Sequence, residues 1–285
     1  MTFLFIKDYF LIFYLDIKVR ILQRVKVTFL FLAKLNGNYI LASENSFKDL
    51  DVDIYSFNWD ADSSNKLEKE KKNLMDTLNE PPIENTAKII CVGRNYAGHA
   101  EELGNKIPKE PLLFQKPLSS VIGNNGTVIL PEKSKQVEYE TELVVIIKKR
   151  GKNIRKDEAM DYILGYTIGL DITARDLQKR DKTWFRGKSY DTFAPIGPWI
   201  ANSSSVDLSD CNLSLYINNE KRQMGNTKNM IFDISSIIEY ISSIVSLNPG
   251  DIIFTGTPEG VGIITPGDKL KASIDGIGTL NISVQ

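Results

Sequence analysis

The stretch that most constrains this chain is Leu143 to Ile147, an unbroken apolar, mostly β-branched run entered through VEYETE. Such a run marks a strand buried on both faces. Side chains alternate along a strand, so Glu140 and Glu142 point to the same side. Two carboxylates at the mouth of a buried strand repel each other and cost free energy unless a cation neutralises them. Asp171 closes a second apolar strand, Tyr166 to Ile172, where it could complete a set of three. Three oxygen ligands with no Cys nearby suit a hard ion such as Mg²⁺ or Mn²⁺. A plainer reading puts Glu140 and Glu142 on a wet edge, paired with some of the many Lys. Spacing alone gives the metal only a narrow lead.

At 285 residues the chain is long enough for one large domain, or one domain with a small appendage. A formal net charge of −1 leaves no basic footprint for nucleic acid. Cys91 and Cys211 are the only cysteines, too few for a disulfide framework or a thiolate metal site. A reducing, cytoplasmic setting is therefore the default. The single histidine, His99, excludes a Zn site built from several imidazoles and any mechanism that needs two.

Residues 1–24 read as an extension of unknown role, rich in Phe, Leu and Ile but interrupted by Lys7, Asp8, Asp16 and Lys18. The uncharged run Tyr9 to Leu15 is far short of the roughly 20 residues that span a bilayer, so no membrane partner is expected. No small-residue cleavage site marks a signal peptide. The segment is an added amphipathic element or the product of an upstream start codon. Residues 25–82 read as a small N-terminal α/β domain. Val25 to Leu35, the turn Asn36-Gly37 and Tyr39 to Ala42 form a β-hairpin signature. Asn65 to Asn79 carries Leu67, Leu74 and Leu78 on one helical face, and Pro81-Pro82 makes a linker.

Residues 83–285 change character, to short strands separated by Gly and Pro. Strands are expected at Lys88 to Val92, Leu112 to Phe114, Thr127 to Leu130, Leu143 to Ile147 and Ile252 to Thr255. A short helix is expected at Asp157 to Leu164. Another starts at an Asp233 cap, with Ile234, Ile237, Ile238, Ile241 and Val245 on its buried stripe. The tail, Leu270 to Val284, alternates like the last strands of a sheet. The sum is a β-rich α+β fold.

His99 and Glu102 lie three apart in a short helical stretch, hence on one face. A carboxylate beside an imidazole fixes its tautomer and raises its basicity, which makes a base able to activate water. For an arbitrary His-x-x-Glu a surface pair is the better reading. Here the flanking Gly98 and Gly104 and the loop Asn105 to Pro111 look like a mobile cover. Lys188, in TWFRGKSYDTF, could bind a carboxylate or stabilise an enolate, though most lysines are merely solvated. Arg175 and Gln178 follow Asp171 closely enough to face the same space, and Arg175 could equally be a partner for Asp176 or Asp191. GTPEGVG is a Gly-rich turn whose backbone N–H groups could hold an anion, but it lacks the Lys-Ser/Thr of a nucleotide P-loop.

The ordered motifs VGRNYAGHAEELGN, PLLFQKP, VEYETELVVII, GYTIGLDITARDLQ, WFRGKSYDTFAPIGP, RQMGNTKNMIF and LNPGDIIFTGTPEGVG resemble the fumarylacetoacetate hydrolase family from about Lys88 to the C-terminus. The nearest likeness is to its acylpyruvase and 2-hydroxyhepta-2,4-diene-1,7-dioate isomerase branch. The resemblance implies a mixed β-sandwich roll, a homodimer and one Mg²⁺ or Mn²⁺ per subunit, with Ca²⁺ as a stand-in in crystals. It implies Glu140, Glu142 and Asp171 as ligands, and His99 with Glu102 as a water-activating dyad on a lid. It places Lys188 with Arg175 and Gln178 at the oxo-acid end of a substrate, Thr257 at its carboxylate, and Lys116 at the pocket side. The implied reaction is metal-assisted hydrolysis of the C–C bond beside an α-keto acid of acylpyruvate or fumarylpyruvate type. Isomerisation of the heptadienedioate, decarboxylation of 5-oxopent-3-ene-1,2,5-tricarboxylate and decarboxylation of oxaloacetate use the same enolate chemistry and stay open. So does a non-catalytic, metal-dependent binder of keto acids.

Overall fold

The computed structural model describes residues 88–285, Pro82 and four strand segments before them, whose backbone course alone is considered. The 1–24 extension, the Asn36-Gly37 turn and most of Asn65 to Asn79 lie outside the described residues. Among the described residues no helix is long and apolar enough to cross a membrane.

The largest sheet holds eleven strands. In spatial order it runs β4 (Lys69–Glu70), β3 (Ile54–Phe57), β2 (Asn38–Ser43), β1 (Phe29–Leu35), β13 (Ala194–Asn202), β11 (Ile163–Leu170), β10 (Thr141–Ile147), β16 (Ile252–Phe254), β5 (Ile89–Gly93) and β6 (Leu112–Lys116). The strand β7 (Val121–Ile122) lies parallel to β13. The expected hairpin is present, with Leu35 opposite Asn38, and β1 joins β13 through Phe31↔Ala201 and Leu32↔Ile200. One expectation fails here. Lys69–Glu70 pairs with β3 as a strand, so no helix runs through those two residues. Backbone bonds to a free sheet edge override the modest helix preference of Lys and Glu.

A second sheet of five strands orders β15 (Glu220–Asn226), β14 (Asn212–Ile217), β18 (Lys269–Ile274), β19 (Gly278–Val284) and β8 (Thr127–Val128). A third, of three, orders β12 (Thr173–Ala174), β9 (Val137–Tyr139) and β17 (Gly262–Ile263). The two larger sheets differ as their sequences do. All seven residues of β10 are buried, since β11 and β16 flank it and both its faces are covered. In β18, by contrast, Leu270, Ala272 and Ile274 are buried and alternate with Lys269 and Lys271, which face water, and the half-buried Ser273.

Helices are few and short: α1 (Ala97–Glu102), α2 (Arg175–Arg180), α3 (Phe185–Lys188) and α4 (Ile234–Ile244). The Asp233 carboxylate caps α4 by accepting from the Ser236 N–H at 2.7 Å, and Ile234, Ile237, Ile238 and Ile241 are buried. Val245, expected on that stripe, turns out of the helix with extended backbone and is 36% exposed. The helix expected at Asp157 to Leu164 is a 3₁₀ turn, Lys156–Tyr162, because Ile163 and Leu164 already belong to β11.

Candidate active site

The chain breaks its strand between β9 and β10 at Glu140, and β11 ends one residue before Asp171. The Asp171 N–H donates to the Glu140 carbonyl at 2.9 Å, which draws the two strand ends together. Glu140, Glu142 and Asp171 are all buried, and each offers a carboxylate oxygen within 4.8 Å of the others. The acids thus leave the wet-edge reading behind. They stand at the floor of a cavity of about 290 Å³, lined also by His99, Arg175, Gln178, Lys188 and Thr257.

Cations hold this set in place. Lys188 Nζ donates to Glu140 Oε2 at 2.7 Å and to Asp171 Oδ2 at 2.6 Å. Arg175 bridges Glu140 Oε1 and Glu138 Oε2, the latter at 2.7 Å, and donates to Gln178 Oε1 at 2.6 Å. The partners expected for Arg175, Asp176 or Asp191, are therefore not the ones it has. Asp176 instead accepts from Ser134 Oγ at 2.6 Å. Gly187 lets α3 approach α2 closely, since a Cβ there would stand 2.9 Å from Gln178 N and 2.8 Å from its Cβ. That approach brings Lys188 to the acids.

Lys116, expected at the pocket side, sits beneath the site. Its ammonium donates to the carbonyls of Ile172, Lys188 and Phe193 at 3.0, 2.7 and 2.8 Å. It also lies 2.7 Å from Asp171 Oδ1, an ion-pair distance. With every donor occupied, Lys116 supports Asp171 and the Lys188 backbone and has nothing left for a ligand.

Burial pushes both Glu140 and Glu142 upward, with opposite results. On Glu140, Lys188, Arg175 and His99 outweigh it and hold the carboxyl well below the usual range. On Glu142, burial is reinforced by Asp171 and Glu140, so its carboxyl is pushed well above that range. Around the floor four carboxylates, with Glu138, face the three cations Lys116, Arg175 and Lys188. Ionising Glu142 as well would leave the floor one carboxylate in excess, and that excess is what a divalent cation would relieve. All-oxygen donors fit Mg²⁺ or Mn²⁺.

α1 lies over this floor. His99 Nδ1 is 3.2 Å from Glu102 Oε2, and its Nε2 faces the acids, 4.0 Å from Glu140 Oε1. The other Glu102 oxygen accepts from Gly260 N–H at 3.0 Å, which ties α1 to the Gly-rich turn. From sequence, that turn was one whose N–H groups could hold an anion. Two of its N–H groups instead serve the chain's own carboxylates, because Gly256 N–H donates to Glu142 Oε2 at 2.7 Å. Gly256 has φ +96°, and a Cβ there would lie 2.6 Å from the Asn95 Cβ, so only glycine fits. The Thr257 hydroxyl donates to the Thr141 carbonyl at 2.8 Å and accepts from Gln223 Nε2 at 2.7 Å.

Four contributors were not singled out from sequence. Glu138 extends the alternation of Glu140 and Glu142 by one more step, a signal present in VEYETE. Gln223 is 1% exposed on β15, a polar residue at an inward position that its spacing could have flagged. Arg94 and Trp184 line the cavity without any spacing signal. There one wall alternates cation and ring: Lys188 Nζ lies 5.0 Å from the Phe114 ring, Phe114 meets Trp184 edge-on at 5.2 Å, and Arg94 Cζ lies 5.6 Å from the Trp184 ring.

Residues 88–285 match the family described as fumarylacetoacetate (FAA) hydrolase, C-terminal. The mitochondrial oxaloacetate tautomerase FAHD2 of Oryza sativa subsp. japonica is 46% identical over 207 residues, 70% of this chain and 92% of that one. The crystal structure of 2-hydroxyhepta-2,4-diene-1,7-dioate isomerase from Mycobacterium marinum superposes with TM-score 0.75 at 36% identity, covering 91% of this chain and 98% of the other. Fumarylpyruvate hydrolase from Pseudomonas aeruginosa, solved with Mn²⁺ and pyruvate, superposes with TM-score 0.67 at 37% identity, covering 70% and 89%.

Proposed function

The chain belongs to the fumarylacetoacetate hydrolase family, a family of enzymes, and we propose that it moves a proton beside the keto group of a 2-oxo acid held on a divalent cation. The observation that carries this reading is the His99–Glu102 pair turned onto Glu140, Glu142 and Asp171, an imidazole base beside a ligand set. Bound by those three acids, the cation would neutralise them and act as Lewis acid on the keto oxygen.

The chain's own residues do the rest. Glu102 accepts from Nδ1–H of His99, which leaves Nε2 as the free base on the cavity side. Lys188 stands where negative charge develops on the substrate's enolate oxygen, and its ammonium is kept charged by Asp171 and Glu140 against the opposing effect of burial. Arg175 holds Glu140 and Glu138 in register, so the base and the floor keep one geometry. Near the floor, α1 covers the reacting atoms from water.

If Nε2 takes its proton from water, the hydroxide formed attacks the distal carbonyl of an acylpyruvate. The C–C bond breaks to release a carboxylic acid and the enolate of pyruvate, whose carbon takes the proton back from Nε2–H. This hydrolase reading is favoured by the oriented dyad. If Nε2 takes the proton from the substrate carbon, the result is keto–enol exchange of oxaloacetate. That second reading is favoured by the similarity to the rice tautomerase and by a cavity of about 290 Å³, at the small end for ligand pockets. Metal-free protein given Mn²⁺ or Mg²⁺ is assayed on oxaloacetate, acetylpyruvate and fumarylpyruvate, following enol absorbance and product acids. Turnover of one of them that needs the ion and is lost in His99→Ala is expected. Turnover of none, or full activity in His99→Ala, sinks the reading.

A further inference from the structure

Besides Lys188 and Arg175, which serve the floor acids, the cavity is lined by a cation whose purpose the floor chemistry does not explain. Arg94 lines the cavity, half-buried, with its guanidinium against the Trp184 ring. Among the described residues it has no carboxylate partner, and burial alone acts on its charge, pulling it below the ordinary value. Asp181, which also lines the cavity, is already engaged by Arg186, whose Nε donates to Oδ2 at 2.7 Å.

The backbone goes out of its way to put Arg94 there. Its φ is +58°, a left-handed conformation that costs a bulky residue about 1–3 kcal/mol unless its surroundings enforce it. The next residue supplies the enforcement. Asn95 Nδ2 donates to the Phe232 and Thr255 carbonyls at 3.0 and 2.8 Å, and its Oδ1 accepts from Phe232 N–H at 2.8 Å. A glycine would sit at this φ without strain, and the chain carries an arginine instead.

Charge points the same way. A divalent ion on a floor with one excess carboxylate leaves one positive charge, which the carboxylate of a 2-oxo acid cancels. Arg94 and Lys179, which also line the cavity, are then in surplus; Lys179 is exposed, whereas Arg94 is half-buried at the end of the Lys188–Phe114–Trp184 wall. A guanidinium half out of water and backed by a ring is suited to gripping a carboxylate with two parallel N–H groups. We propose that Arg94 is a specificity-determining residue that selects 2-oxo acids bearing a second carboxylate at the end remote from the keto group. This rests on the 2-oxo acid reading of the floor.

The test is binding, so it is independent of turnover. Mn²⁺-loaded protein is titrated by calorimetry with 2-oxoglutarate, 2-oxoadipate and 2-oxopimelate, each against the monocarboxylic 2-oxo acid in which a methyl replaces the far carboxylate. For at least one length the diacid is expected to bind about ten- to a hundred-fold tighter. Arg94→Asn removes the cation yet tolerates the left-handed backbone, so it is expected to keep the wild-type melting temperature. It should abolish that preference and leave the monoacid affinities within about twofold. Arg94→Lys, a second variant, retains part of the preference because it keeps the charge without the fork. A wild type that binds monoacids and diacids alike overturns the proposal and leaves the 2-oxo acid reading standing. A preference that survives Arg94→Asn, or equal weakening of both classes, overturns it too. Mn²⁺ uptake with no 2-oxo acid bound overturns both readings.

Discussion

Replacing Lys116 by Met removes a charge that water never reaches. The side chain is 0% exposed, and its ammonium serves three backbone carbonyls between 2.7 and 3.0 Å and stands 2.7 Å from Asp171 Oδ1. Methionine matches the length of the stem, so packing changes little and the loss is electrostatic. Removing one member of a buried ion pair costs about 3–5 kcal/mol, because the other charge is left uncompensated. Against a total stability of about 5–15 kcal/mol that is a large share. For a folded unit of this size it corresponds to a fall in melting temperature of about 6–20 °C. Burial lowers the pKa of Lys116 against the pull of Asp171, but only the ammonium has three hydrogens for three carbonyls. The assay is a thermal melt of wild type and Lys116→Met, each metal-free and with Mn²⁺. Mn²⁺ should raise the variant by more than the wild type, because the ion supplies positive charge that Asp171 has lost. A fall under about 2 °C, or equal Mn²⁺ shifts, would refute the account of Lys116 as a support beneath Asp171.

Glu142 is pushed up in the metal-free protein, so its proton stabilises that state at acid pH and the contribution is lost as pH rises through the raised value. A cation on the floor displaces that proton. Mn²⁺ affinity should therefore climb with pH by up to about tenfold per unit, with about one proton released in calorimetry across buffers; a flat profile would contradict this. Glu102→Gln leaves His99 without the carboxylate that orients it, and kcat should fall on the order of a hundred-fold while 2-oxo acid affinity holds. Unchanged kcat would remove Glu102 from the dyad. Asp233→Ala loses the cap on α4 and should cost about 1 kcal/mol by thermal melting, since the pair with Lys156 is exposed and adds little.

Local pattern was enough for most elements of the 88–285 region. The apolar run of β10, the alternation of β18 and the Asp233 cap are dictated by burial period and by the bonding needs of helix ends, which nearby residues satisfy. The Lys69–Glu70 strand was not legible, because what fixes it is pairing with the free edge of β3, which the helical period of its own residues does not announce. The same division holds in the site. VEYETE and the end of the next strand announce converging acids, and the motif likeness raises the metal from a narrow lead to the leading expectation.

By itself, then, the sequence determined a β-rich fold, the identity of the three floor acids and the single imidazole available as a base. These follow from period, count and residue chemistry, all local quantities. Tertiary structure alone decided which cation meets which acid. Arg175 pairs with Glu138 and Glu140, 37 and 35 residues away, instead of Asp176 beside it, and Lys116 passes under the floor instead of into the cavity. Charge pairing in a buried site depends on which strand ends the sheet order brings together, and no spacing along the chain encodes that order. Arg94 is the furthest case: its reach toward the cavity depends on a left-handed turn pinned by Asn95 to carbonyls more than a hundred residues downstream.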